Sequence, residues 1–270
     1  MPIMKRILLL TVLIIPFLLG ARRKGYDVYL CIGQSNMAGR GELLPEDSLA
    51  VEGVFLLDEA GEMVPATPRA NLYSTIRKRA SMQGFNLCIP FASKMYKATG
   101  RPVLLVVNAR GGTGIDQWLK TAPCDTFAKK WGDDPSRYGT PVPQFYSEAV
   151  RRARQAMKYG KLKGILWHQG EADASPALRA AYLDKLEILV SDLRKDLKAR
   201  RAPFVVGEVY AGKNVAINPY LDLVPAFVLR SRCVSSEGTS SKPDDVHFTR
   251  SALVMMGERY ADEMLSLIQK

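Results

Sequence analysis

The sequence predicts an α/β fold in which a parallel sheet carries helices on both faces, and three observations support that expectation. At 270 residues and 47% hydrophobic content, the chain can bury a sizeable core. Short apolar runs alternate with longer amphipathic stretches, the pattern of strands covered on both sides by helices. Polar and glycine-rich motifs follow the apolar runs directly, where ligands bind in open parallel sheets. No internal repeat, low-complexity tract or linker interrupts residues 25–270, which read as one domain.

Residues 1–24 stand apart from that domain. Lys5 and Arg6 precede an apolar run over 7–19. As a helix at about 1.5 Å per residue, this run falls short of a ~30 Å hydrocarbon core. It therefore reads as a secretory signal, with an uncleaved N-terminal anchor as the alternative, and export is expected. Residues 27–33 then form the first buried strand, ending at Gly33-Gln34-Ser35-Asn36. A helix is expected over 85–98 and a second apolar strand over 101–108, followed by Ala109-Arg110-Gly111-Gly112-Thr113-Gly114. A helix over 143–159 leads to a third strand at 163–168 and to Gln169-Gly170-Glu171-Ala172-Asp173. A helix over 176–199, with Pro176 near its start, precedes a strand at 203–209. The last helix, over 249–268, follows Asp244-Asp245-Val246-His247-Phe248-Thr249.

Composition narrows the function classes. The formal net charge is +11, with clusters at Arg22-Arg23-Lys24, at Arg151, Arg152 and Arg154, and at Lys198, Arg200 and Arg201. The last two clusters fall on or beside helices, where cations form a solvated face. No aromatic-interleaved basic motif accompanies them, so nucleic acid is not expected as a partner, although anionic surfaces or substrates suit the charge. Cys31, Cys88, Cys124 and Cys233 show no CxxC spacing, which argues against zinc; buried free thiols are the ordinary outcome, and pairing stays open.

Ser35 reads as a nucleophile at a strand tip, which requires a base, an orienting acid and oxyanion donors. The chain has two histidines. His168 ends an apolar run and reads as structural, whereas His247 has Asp244 three residues before it in a loop, close enough to fix the imidazole tautomer. Asp245 and Thr249 are available to cap the following helix instead. The Ser35 amide, the Gly112 amide and the Gln169 side chain are the candidate oxyanion donors, with a buried structural amide as the other reading of Gln169. Glu171 and Asp173 lie close together, but without a third ligand at metal spacing they read as a network tied to Arg40 or Arg110. Gln34, Asn36 and Arg40 read as support for the serine loop. Trp118 and Asp116 either border a sugar site or, for the tryptophan, belong to the core. No metal is expected.

Four ordered blocks, GQSNMAGR at 33–40, RGGTGIDQW at 110–118, WHQGEAD at 167–173 and DDVHFT at 244–249, resemble the SGNH (GDSL-like) hydrolase superfamily. Within it the chain is similar to the sialate O-acetylesterase and carbohydrate esterase family 6 branch. The resemblance implies a three-layer α/β/α sandwich with a central parallel sheet, flavodoxin-like, needing no cofactor. It also implies removal of acetyl groups from carbohydrate hydroxyls by Ser35, His247 and Asp244, with glutamine at the third oxyanion position, where many superfamily members have asparagine. Acetylated xylan, sialic acid and other acetylated glycans are all candidate substrates. An α/β-hydrolase is disfavoured because Ser35 lies early and lacks a GxSxG ending. The competing readings are a lipase or thioesterase of the same superfamily and a non-catalytic carbohydrate-binding protein. Oligomeric state is left open.

Overall fold

The computed structural model describes residues 25–123 and 144–269. The N-terminal apolar run, Cys124 and most of the 120–142 stretch lie outside the described residues. Seven strands, β1 (Tyr26–Gly33), β2 (Val54–Leu57), β3 (Met63–Pro65), β4 (Val103–Ala109), β5 (Gly160–His168), β6 (Phe204–Gly207) and β7 (Ser231–Val234), form one sheet. Their order is β3-β2-β4-β1-β5-β6-β7, and every pairing is parallel except that of β3 with β2. The expected parallel sheet is therefore present with one antiparallel edge strand, a common variation on such sheets.

β1 occupies the middle, with Leu30 paired to Val106 on one side and Ile165 on the other. Because side chains alternate across a strand, Val28, Leu30 and Ile32 face one layer while Tyr29 and Cys31 face the other. Both layers are apolar, which is why the strand reads as a continuous hydrophobic run. Helices α1 (Ser35–Ala38), α2 (Cys88–Thr99), α3 (Phe145–Ala156), α4 (Pro176–Arg179), α5 (Tyr182–Asp196), α6 (Asn218–Asp222), α7 (Val224–Phe227) and α8 (Arg250–Ile268) flank the strands. On α3, Tyr146, Ala149, Val150 and Ala153, and on α5, Leu186, Leu189, Val190 and Leu193, recur at the three- and four-residue spacing of a buried stripe. They cover the Leu30 face. α2 and α8 cover the Tyr29 face with Phe91, Met95, Leu253, Met256 and Met264. Each such fully buried aliphatic side chain contributes roughly 1.5–3 kcal/mol of transfer free energy.

Three expectations are corrected here. The helix expected over 176–199 divides into α4 and α5. Strands β2, β3 and β7, of four, three and four residues, were not anticipated because they are too short to show a period. Arg152 is buried rather than part of a solvated face, and its guanidinium donates to the carbonyls of Leu57 and Asp58 at 2.8 and 3.0 Å. Burial lowers that guanidinium to about 10, which makes its two backbone acceptors structurally important. Among the described cysteines, Cys31, Cys88 and Cys233 are free thiols.

Candidate active site

The tips of β4, β1 and β5 lie side by side, so the three loops that leave them meet above the middle of the sheet. Ser35 opens α1 directly after β1 and is 5% exposed. The loop after β4 rests on it. A Cβ added at Gly111 would lie 2.8 Å from Arg40 Nη2 and 3.3 Å from Ser35 Cβ, so a side chain there would push the Arg40 guanidinium aside and crowd Ser35. Gly112 has φ +76°, the left-handed region that glycine enters without steric cost. Its N–H and that of Ser35 have no acceptor among the described residues.

The last loop brings His247 over the serine from 212 residues away in the chain. His247 Nε2 lies 2.8 Å from Ser35 Oγ, and Nδ1 lies 2.6 Å from Asp244 Oδ2. The second oxygen of Asp244 accepts from the amides of His247 and Val246 at 2.9 and 3.0 Å. Burial raises the Asp244 carboxyl, but these hydrogen bonds outweigh it and hold the group at about 2. Asp244 is thus an anion against the imidazole at any ordinary pH. Thr249, not an aspartate, caps α8, accepting from Ala252 N. This arrangement can deprotonate a hydroxyl during attack and stabilise the imidazolium that results.

His168 is fully buried, with Nδ1 3.1 Å from the Tyr260 hydroxyl. Burial lowers its ring to about 3, so it is a neutral structural residue. Trp118 also belongs to the core, with its ring 5.5 Å from Trp167 and 5.4 Å from Phe145. Asp116 pairs with Lys185 at 2.7 Å.

Gln169 differs from expectation. Its Nε2 faces three acceptors, Asp173 Oδ2 at 2.5 Å, Thr113 O at 3.0 Å and Gln34 Oε1 at 3.1 Å, which exhausts two amide hydrogens. Tyr182 donates to its Oε1. Gln169 is therefore a buried clamp between loops and not an oxyanion donor in this geometry. Gln34 is its counterpart: Gln169 Nε2 and Ala172 N hold its Oε1, while its Nε2 has no acceptor among the described residues and is not sealed from solvent. The residue directly before the nucleophile thus presents an oriented, unused amide.

Glu171 and Asp173, expected to tie their loop to Arg40 or Arg110, make amide contacts instead. Glu171 Oε1 accepts from Asn36 Nδ2 at 2.7 Å, and Asp173 Oδ2 accepts from Ile115 N at 2.9 Å. Arg40 donates to the carbonyls of Gly39 and Met82, and Arg110 donates to Ile76 O. Asn36 also donates to Val246 O and accepts from Phe248 N, gripping the chain on both sides of His247. Below the second loop, Asn71 exchanges hydrogen bonds with the backbone of Ala109, and Ser74 donates to Asn108. Sequence reasoning missed both residues, which carry no motif. Among the described residues, no cluster of three His, Cys, Asp or Glu side chains could hold a metal ion.

The sheet order, the flanking helices and the four ordered loops define the SGNH-like α/β fold of the carbohydrate esterase superfamily. Residues 25–266 match the family described as "Carbohydrate esterase, sialic acid-specific acetylesterase", and the chain belongs to it. Acetylxylan esterases, which act on one of the substrates considered above, form a different branch. A "Probable carbohydrate esterase" of Arabidopsis thaliana is 25% identical over 262 residues, 89% of this chain and 90% of that one. Among solved structures, an Arabidopsis thaliana protein superposes with a TM-score of 0.75 at 21% identity, over 90% of this chain and 99% of the other. NanS gives 0.68 at 18% identity, over 91% and 98%. A carbohydrate acetylesterase from Xanthomonas citri gives 0.62 at 17% identity, over 90% and 57%. These structural likenesses concern the fold.

Proposed function

We propose that the chain is a serine esterase that removes O-acetyl groups from carbohydrates through an acetyl-enzyme. The observation that carries this reading is the unbroken relay from Ser35 Oγ to His247 at 2.8 Å and on to Asp244 at 2.6 Å. Ser35 Oγ attacks the acetyl carbonyl carbon as His247 Nε2 takes its proton. The tetrahedral adduct collapses by breaking its bond to the sugar oxygen, which leaves with the proton from His247. Water, deprotonated by the same ring, then attacks the acetyl-enzyme and releases acetate, restoring Ser35. Asp244 stays ionised throughout and stabilises the imidazolium.

The N–H groups of Ser35 and Gly112 and the Nε2 of Gln34 are the proposed oxyanion donors. One such donor is worth roughly 3–4 kcal/mol in the transition state. Family membership and the carbohydrate acetylesterase from Xanthomonas citri support an acetylated sugar as substrate. The description of the matched family, a sialic acid-specific acetylesterase, favours a sugar acid among such substrates. Export remains part of the reading, supported by the apolar run at 7–19 and tested by N-terminal sequencing of the mature protein.

Acetate release from O-acetylated sialic acid and from neutral acetylated sugars tests the proposal. The parent should release acetate from the acid faster, and Ser35→Ala should release none above background. Undiminished release by Ser35→Ala, or a preference for octanoyl over acetyl nitrophenyl esters, would overturn it.

A further inference from the structure

At the N-terminal ends of β5 and β6, the rim opposite Ser35, a depression of about 650 Å³ is lined by Lys163, Lys195, Lys198, Arg200, Arg201 and Arg230, with no carboxylate among its described lining residues. The adjoining groove sets Phe227 and Leu229 beside Lys195 and Arg200, and Glu187 is the one carboxylate of that lining. Phe227 is 48% exposed and Leu229, just before β7, is 83% exposed. β1 starts at this same rim, Tyr26 pairing with Gly160 at the head of β5. The sequence immediately ahead of β1 is Arg22-Arg23-Lys24, and ahead of that lies the apolar run over 7–19.

A soluble polyanion would account for the cations but not for two exposed apolar side chains among them or for the apolar run that precedes β1 in the sequence. Lys and Arg interleaved with Leu and Phe, beside a polybasic stretch next to an apolar run, match an anionic bilayer surface. There the cations meet lipid phosphates and the apolar tips enter the headgroup layer. The active site does not compete for this rim. β5 has nine residues, so at about 3.3 Å per residue Ser35 stands roughly 30 Å from it.

We propose that this rim docks on an anionic phospholipid membrane, with Leu229 and Phe227 entering the interface and the rim cations engaging phosphates, so that the serine faces away from the bilayer.

Sedimentation of the full chain with vesicles tests this. Phosphatidylcholine vesicles report the apolar contributions alone, and vesicles that also contain phosphatidylglycerol add the charge. The parent should partition onto the anionic vesicles about a hundredfold or more above the neutral ones, and the preference should shrink as salt rises. The triple variant Lys198→Gln, Arg200→Gln, Arg201→Gln should lose about a hundredfold of the anionic partitioning, at about one decade or slightly less per cation, and keep the neutral value. Arg230 is spared because its guanidinium holds the carbonyls of Arg201 and Leu267. An unchanged far-UV circular dichroism spectrum shows that the triple variant is folded. Equal partitioning of the parent on both vesicle types overturns the proposal, as does a folded triple variant that keeps the preference. Binding to a soluble sulfated polysaccharide without any vesicle preference also overturns it, in favour of a soluble polyanion.

Discussion

Replacing Glu171 by glutamine removes a titrating group from beneath the serine loop while keeping the oxygen that Asn36 needs. Oε1 accepts from Asn36 at 2.7 Å, whereas Oε2 is buried and meets no donor among the described residues. Burial accordingly pushes this carboxyl from its ordinary 4.5 up to about 7, against hydrogen bonds from the backbone and Asn36. His168, three residues earlier, shifts the other way, from 6.5 down to about 3 by burial. Between about pH 8 and about pH 4.5 the folded chain takes up a proton at Glu171 ahead of the unfolded chain, so acidification favours folding by about 3 kcal/mol. Over the same window the unfolded chain protonates at His168 and the folded chain does not, which disfavours folding by about 3 kcal/mol. The two contributions nearly cancel in the parent. In Glu171→Gln only the His168 loss remains. The variant's stability relative to the parent should therefore be about 3 kcal/mol greater at pH 8 than at pH 4.5. Urea unfolding followed by tryptophan fluorescence at several pH values measures the difference. A difference constant to within about 1 kcal/mol would refute the reasoning, because Glu171 would then titrate alike in both states.

Asp244→Asn should lower kcat by about 10⁴ on an acetyl ester with the fold retained, since the imidazole loses the anion that fixes its tautomer; steady-state kinetics beside a thermal melt check both halves. Gln34→Ala should lower kcat by about 10²–10³ with little change in KM, whereas Gln169→Ala should appear first as a lower urea midpoint. Gly111→Ala should reduce kcat without unfolding the chain, because the new methyl must displace Arg40 Nη2 or Ser35 itself; a near-parental kcat would show that the two loops are less closely packed than their distances indicate.

The parts of this fold that were legible in the sequence are those whose cause is local. β1 and β4 read as strands because both of their faces are buried, and α3, α5 and α8 read as helices because each turns one stripe inward. The pairing of His247 with Asp244 was legible because three residues of loop suffice to bring them together. Gln169 was misjudged because its role depends on Gln34, Thr113 and Asp173, which reach it from three separate segments. Arg152 was misplaced for a related reason. Its acceptors are the carbonyls of Leu57 and Asp58, at the end of a strand too short to announce itself, so its helix position suggested solvent. Asn71 and Ser74 were invisible because buried amides and hydroxyls identify themselves only through their partners.

The same partners explain how the site holds its shape without placing charge where it would interfere. The loops after β1 and β5 and the histidine loop are joined by amides: Gln169 to Gln34, Asn36 to Glu171, and Asn36 to the backbone on either side of His247. Burial pushes Glu171 up to about 7 and raises Asp173, so at both carboxyls burial works against the charged form. Among the described residues, Asp244 is the one carboxylate in direct contact with the imidazole, and the amides of Val246 and His247 keep it ionised. An imidazolium forming at His247 therefore meets the Asp244 carboxylate on its Nδ1 side and the Ser35 hydroxyl on its Nε2 side. In the proposed acyl transfer, that asymmetry would direct the proton toward the leaving group and the negative charge toward the Ser35 and Gly112 amides.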